Sequence, residues 1–143
     1  MTANLARRLA LLALLLALCA ALGGCERAGG ADAVRVLIDG EAWPGGAYAA
    51  ERGDDLRVYI ALDGAPLVDL PFAEAHTVSV LQPDGASNVV RLTGEAVYMQ
   101  GANCENQDCV GMGEVTRENL ELRVLGGFII CLPHRLSVEV RGE

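Results

Sequence analysis

Most of the chemistry open to this 143-residue chain rests on five cysteines and two histidines. Cys104 and Cys109 are separated by four residues in GANCENQDCVGMG (101–113), and Cys131 precedes His134 in FIICLPHRL. Three thiolates and an imidazole form a legitimate zinc set. The Cys131-x2-His134 spacing is typical of such sites, and Cys104-x4-Cys109 is at their wide end. A thiol oxidoreductase would use Cys-x-x-Cys at a helix start within a βαβ unit, and neither occurs. A disulfide between Cys104 and Cys109 would close a short ring worth roughly 2 kcal/mol by chain entropy. Pairing of Cys131 with either of them stays open, because spacing alone does not fix connectivity. FIICL is apolar on both faces, which predicts Cys131 as a buried, inert thiol. No nucleotide or nucleophile-elbow motif accompanies these residues, and no base is placed beside Ser79, Ser87 or Ser137. His76 is expected at the surface. No catalytic residue, cofactor or metal is expected in the leading reading; the alternative is a thiol-redox or zinc-binding protein using Cys104, Cys109, Cys131 and His134.

The compartment weighs on that choice, and the N-terminus reads as an address. Arg7 and Arg8 precede an apolar run from Leu9 to Leu22 that is shorter than the roughly 20 residues needed to span a bilayer. Basic start, short apolar run and small residues describe a signal peptide over 1–24. Leu22-Gly23-Gly24-Cys25 resembles the lipobox of bacterial lipoproteins. The resemblance implies cleavage before Cys25 and a lipid on that cysteine. Residues 25–33 would be a flexible tether, and 34–143 a single domain. In an oxidising compartment nearby thiols pair, which favours the Cys104–Cys109 disulfide as a staple. The formal charge is −8, and it becomes −10 once Arg7 and Arg8 are removed. That balance opposes nucleic-acid binding, which depends on neutralising phosphates. The expected partners are the membrane, through the N-terminal lipid, and an unidentified envelope protein.

The elements that must position the cysteines are strands. AVRVLIDG reads as a first strand, and EAWPGGAYAAERG (41–53) as a loop with Trp43 against the core. In DLRVYIAL, Leu56, Val58 and Ile60 alternate with Arg57 and Tyr59. Asp63-Gly64 then turns the chain into PLVDLPF, a hairpin signal. HTVSVLQ, SNVVRL and EAVYMQ follow, separated by Pro83-Asp84-Gly85 and Thr93-Gly94. Leu120, Leu122 and Val124 alternate in LELRVL, and Gly126-Gly127 predicts a hairpin onto FIICL. RLSVEVRG closes with Leu136, Val138 and Val140 inward. Eight or nine short strands predict an all-β fold, a compact small barrel or sandwich. Residues 103–110 lack this alternation. They predict a loop or one short helical turn, capped by Asn103. Its polar residues Glu105, Asn106, Gln107 and Asp108 are a candidate partner surface.

Four segments in order, LVDLPF, HTVSVLQPDGASNVVRL, ANCENQDCVGMGEV and GGFIICLPHRLSVEV, carry a family resemblance. The chain resembles bacterial envelope proteins that are similar to domain II of the transcription factor NusG, over about residues 54–142. The resemblance implies a compact, exported, often lipid-anchored β domain without catalytic activity. Residues 41–53 depart from the pattern.

Overall fold

The sequence pattern is met by two antiparallel sheets in a computed structural model that describes residues 33–45 and 56–142. These belong to one compact unit, Asp32–Glu143. The expected signal peptide, Cys25 with its lipobox, and residues 46–55 lie outside the described residues.

The first sheet holds β1 (Arg35–Ile38), β2 (Glu41–Ala42), β5 (Ala75–Leu81), β6 (Ser87–Thr93), β7 (Ala96–Ala102) and β8 (Val115–Thr116), in the order β2-β1-β5-β6-β7-β8. The second runs β4-β3-β10-β9, from β3 (Leu56–Leu62), β4 (Ala65–Pro71), β9 (Phe128–Cys131) and β10 (Leu136–Gly142). The all-β expectation holds. The described strands form two sheets and no closed barrel. The alternation places side chains as read: Val58, Ile60, Val78, Val80, Leu136 and Val138 are fully buried. With Phe72, Val90, Leu92, Val97 and Ile129 they form a single apolar cluster fed by both sheets.

Asp-Gly pairs set two of the hairpins. Asp63 and Gly64 adopt φ of 50° and 79°, between the partners Leu62 and Ala65. Positive φ at both central positions matches the right-handed twist of the flanking strands. Asp39 and Gly40 repeat the device at 53° and 88°. Their hairpin recruits Glu41 and Ala42 as β2, so the loop expected from residue 41 begins with a short strand. Trp43 packs against the core as expected. At the β6–β7 turn, Gly94 combines φ of 87° with a neighbour that a Cβ would meet at 2.8 Å, the Ala73 carbonyl oxygen. Only glycine satisfies both demands.

Residues 120–125 depart from expectation. They form turns, not a strand, and β9 pairs with β10 instead. The reason lies in two side chains. Asn119 Oδ1 accepts from the Thr116 amide at 2.9 Å and Asn119 Nδ2 donates to Glu114 O at 3.0 Å, closing a local turn. Arg123 then gathers carbonyls with its guanidinium, donating to Glu114 O at 2.8 Å, Met112 O at 3.0 Å and Gly126 O at 3.1 Å. The rigid donor fork of arginine can hold several carbonyls at once. Leu120 still packs on the core, but Leu122 and Val124 face solvent.

His76 also differs from its expected surface position. It is half-buried, with Nδ1 2.7 Å from Asp39 Oδ2 and Nε2 3.1 Å from Glu74 Oε2. Burial alone would lower its pKa; the bonds to Asp39 and Glu74 outweigh this and raise it above 6.5. Asp39 is lowered by the same bond and by the Thr77 amide. The raised histidine therefore stabilises the fold below its ordinary pKa, and that contribution is lost as pH rises through the folded value. The lowered aspartate contributes above its ordinary value of 3.8 and is lost on acidification. The pair is part-exposed, so screening limits it to about 1 kcal/mol or less. Urea midpoints should fall as pH rises from about 6 to 8 in the wild type. They should stay flat in His76→Gln; equal slopes would refute the linkage.

Candidate thiol site

Three separate elements bring three sulfurs together. Cys104 follows β7, Cys109 lies in the helical turn α1 (Asp108–Gly111), and Cys131 ends β9. All three are buried, at 6%, 2% and 1% exposure. Cys104 Sγ lies 3.8 Å from Cys109 Sγ and 3.8 Å from Cys131 Sγ, and all three sulfurs fall within 4.8 Å of one another. The expected Cys104–Cys109 disulfide is not formed in this structure, because a bond needs about 2.05 Å. Both are thiols, as is Cys131.

The segment that carries the pair is shaped by Gln107. It stands at the N-cap of α1 with φ of 54°, and it makes no side-chain cap bond. Its Nε2 instead donates to Ala102 O at 2.6 Å and to the Cys104 carbonyl, and lies 3.9 Å from Cys104 Sγ. The expected cap, Asn103, works elsewhere. Its Oδ1 accepts from the Ser87 amide at 2.8 Å and its Nδ2 donates to Gly85 O at 2.9 Å, tying the β5–β6 turn to the end of β7. The single helical turn was legible; its capping was not. Glu105, Asn106, Gln107 and Asp108 are exposed as expected. Asn106 Nδ2 donates to Asp108 Oδ2 at 2.6 Å, so the tip is internally bonded.

The environment separates the three thiols. Burial first, and then the neighbouring Cys131 and Cys104 sulfurs, push the Cys109 thiol up to about 12. Burial pushes Cys131 up as well. The Asn88 side chain and the His134 backbone N–H bond its sulfur and, with the other two thiols, bring it below the ordinary value of 9.0. The environment thus moves Cys131 and Cys109 in opposite directions. Cys131 is buried as expected.

His134 does not join the sulfurs. It lies in the turn between β9 and β10, where Nδ1 bonds Asn88 Oδ1 at 2.8 Å, and its carbonyl accepts from Gln82 Nε2 at 2.9 Å. Of the four ligands in the alternative zinc reading, three sulfurs meet and His134 does not. Asn88 and Gln82 were missed. Asn88, at 0% exposure, occupies an inward position in phase with Val90 and Leu92. A polar residue on the apolar phase of a strand was the signal that could have marked it. From there it reaches both His134 and Cys131, and its Nδ2 also lies 3.6 Å from Met99 Sδ.

The NusG domain II family profile matches residues 11–143. The crystal structure of the Lin0431 protein from Listeria innocua is similar, with 22% identity and a TM-score of 0.53 over 62% of this chain and 98% of that one. A DUF1312 family protein from Enterococcus faecalis gives 20% identity and a TM-score of 0.54, again over 62% and 98%. At these identities the likeness speaks to the fold alone. Among curated proteins, none matches the chain.

Proposed function

This chain belongs to the NusG domain II family, and from that premise we propose that it is a non-enzymatic, lipid-anchored extracytoplasmic β module that binds another protein of the bacterial cell envelope. The observation that carries this reading is the turn at 120–128. Leu122 is 83% exposed, Val124 101%, Leu125 46% and Phe128 37%. Single exposed apolar residues are ordinary on a soluble surface, but a cluster on one segment marks an interaction site. Arg123 holds the segment through its carbonyl bonds, so little ordering entropy is left to lose on docking. Burying each such side chain is worth about 1.5–3 kcal/mol. Met112, directly after α1, joins Arg123, Val124 and Leu125 around a groove of about 260 Å³. Glu105, Asn106, Gln107 and Asp108 would give the same partner a polar rim. The apolar turn and the acidic balance favour a protein partner over nucleic acid.

Anchoring is supported by Leu22-Gly23-Gly24-Cys25 after a basic, apolar N-terminus. A Cys104–Cys109 disulfide would staple the 103–110 tip in an oxidising envelope, in competition with any use of the same sulfurs as ligands.

Crosslinked pull-down from native membranes tests the reading. Leu122→Glu with Val124→Glu should keep stability within about 0.5 kcal/mol of wild type. It should also abolish recovery of whatever partner the wild type captures. Cys25→Ser should release the protein from the membrane fraction. Equal partner recovery by the double variant would refute the surface, and unchanged membrane association of Cys25→Ser the anchor.

A further inference from the structure

We infer that Cys104, Cys109 and Cys131 form a three-thiolate site for one thiophilic d10 cation of the zinc class, without His134. Zinc–sulfur bonds of about 2.3 Å place the sulfurs of a tetrahedral site about 3.8 Å apart. Two of the three separations here are 3.8 Å, and the third is within 4.8 Å. The sulfurs are thus spaced as the edges of a metal–thiolate face, although they come from three segments with 21 residues between Cys109 and Cys131.

The surroundings agree with that spacing. Bound thiolates are commonly steadied by N–H donors outside the metal, which fix their orientation and spread their charge. Gln107 Nε2 lies beside Cys104 Sγ at 3.9 Å, and the Asn88 amide and the His134 backbone N–H point at Cys131. A disulfide uses two sulfurs and strands the third among donors it does not need. One cation uses all three. Binding would displace three thiol protons and form three metal–sulfur bonds, with no change of oxidation state. The fourth position of a tetrahedral ion would fall to water or to a donor outside these residues, which is the arrangement of open zinc sites. His134 stays out because its ring is not among the groups that meet: in the described residues only the three sulfurs lie within 4.8 Å of one another. This inference is independent of the partner surface at 120–128.

The full chain, extracted in detergent, reduced without oxygen and freed of reductant, is titrated with Co2+ and then Zn2+. Wild type should bind one equivalent of Co2+, with sulfur-to-cobalt charge-transfer absorption and tetrahedral visible bands, and Zn2+ should displace it one for one. Cys131→Ser should lose the charge-transfer intensity and at least a hundredfold in affinity. His134→Gln should retain one equivalent. The site is overturned if reduced wild type takes up no stoichiometric Co2+, a result that needs no variant to fold. It is also overturned if Cys131→Ser keeps the full signal, or if a folded His134→Gln loses the metal.

Discussion

Replacing Gly127 by alanine is expected to cost about 3 kcal/mol, near the upper end for overpacking a closed site. Thermal unfolding should drop by about 10 °C or more for a domain of this size. The cause is space. A Cβ at position 127 would sit 2.0 Å from the Val140 carbonyl oxygen and 3.0 Å from Leu120 Cδ1. The leucine tip can swing aside, but Val140 is backbone within β10. The Gly127 carbonyl accepts from the Val140 amide at 2.9 Å, so relieving the clash pulls on the first bond that brings the chain into β9. Moving that point also moves the turn before it, so recovery of the proposed partner should fall along with stability. Gly101→Ala is the control. A Cβ there meets nothing within 4 Å, and no positive φ is involved. It should be neutral within about 0.5 kcal/mol. Equal melting of the two variants would show that the packing argument is wrong.

The strands were legible because their burial period is short and local. Val78 and Val80, or Leu136 and Val138, declare their inward face within three residues. Asp63-Gly64 was readable for the same reason, since a two-residue turn between alternating strands carries its own signal. Asp39-Gly40 has the same chemistry and φ values, yet only Glu41 and Ala42 follow it as strand before Trp43-Pro44-Gly45 breaks the pattern. LELRVL failed for the opposite reason: the alternation was present, but Arg123 and Asn119 satisfied the backbone locally before a neighbouring strand could. The sulfur site was half legible. Cys104 and Cys109 announce themselves by spacing. The meeting of Cys131 with Cys104 depends on two sheets packing their ends together, which no local pattern encodes. His134 looked like a ligand because its spacing to Cys131 is right. The sequence at 134 does not reveal that Asn88, on another sheet, already holds the ring.

Asn88→Ala is expected to cost about 3 kcal/mol, from an unpaired buried imidazole nitrogen and the volume left behind. Asn88 is fully buried on β6, and its Oδ1 lies 2.8 Å from His134 Nδ1. The bond links the first sheet to the β9–β10 turn of the second, and Gln82 adds a parallel tie through the His134 carbonyl. Removing Asn88 should therefore loosen the turn that supplies Cys131. It also withdraws an N–H donor from that sulfur, so the Cys131 thiol should shift upward. The ultraviolet titration of thiolate should begin at higher pH in the variant than in the wild type. A double-mutant cycle separates this from simple cavity formation. Asn88→Ala and His134→Ala share one bond, so the pair together should cost less than the two single costs added, by about 1–2 kcal/mol. Asn88→Ala with Val58→Ala supplies the comparison. Val58 lies on β3, in the second sheet, and is fully buried. Truncating it leaves a cavity without touching the polar link, so its cost should simply add. Additive costs for Asn88 and His134 would mean that the bond does not couple the sheets. An unchanged thiolate titration in Asn88→Ala would mean that the amide does not support the Cys131 anion.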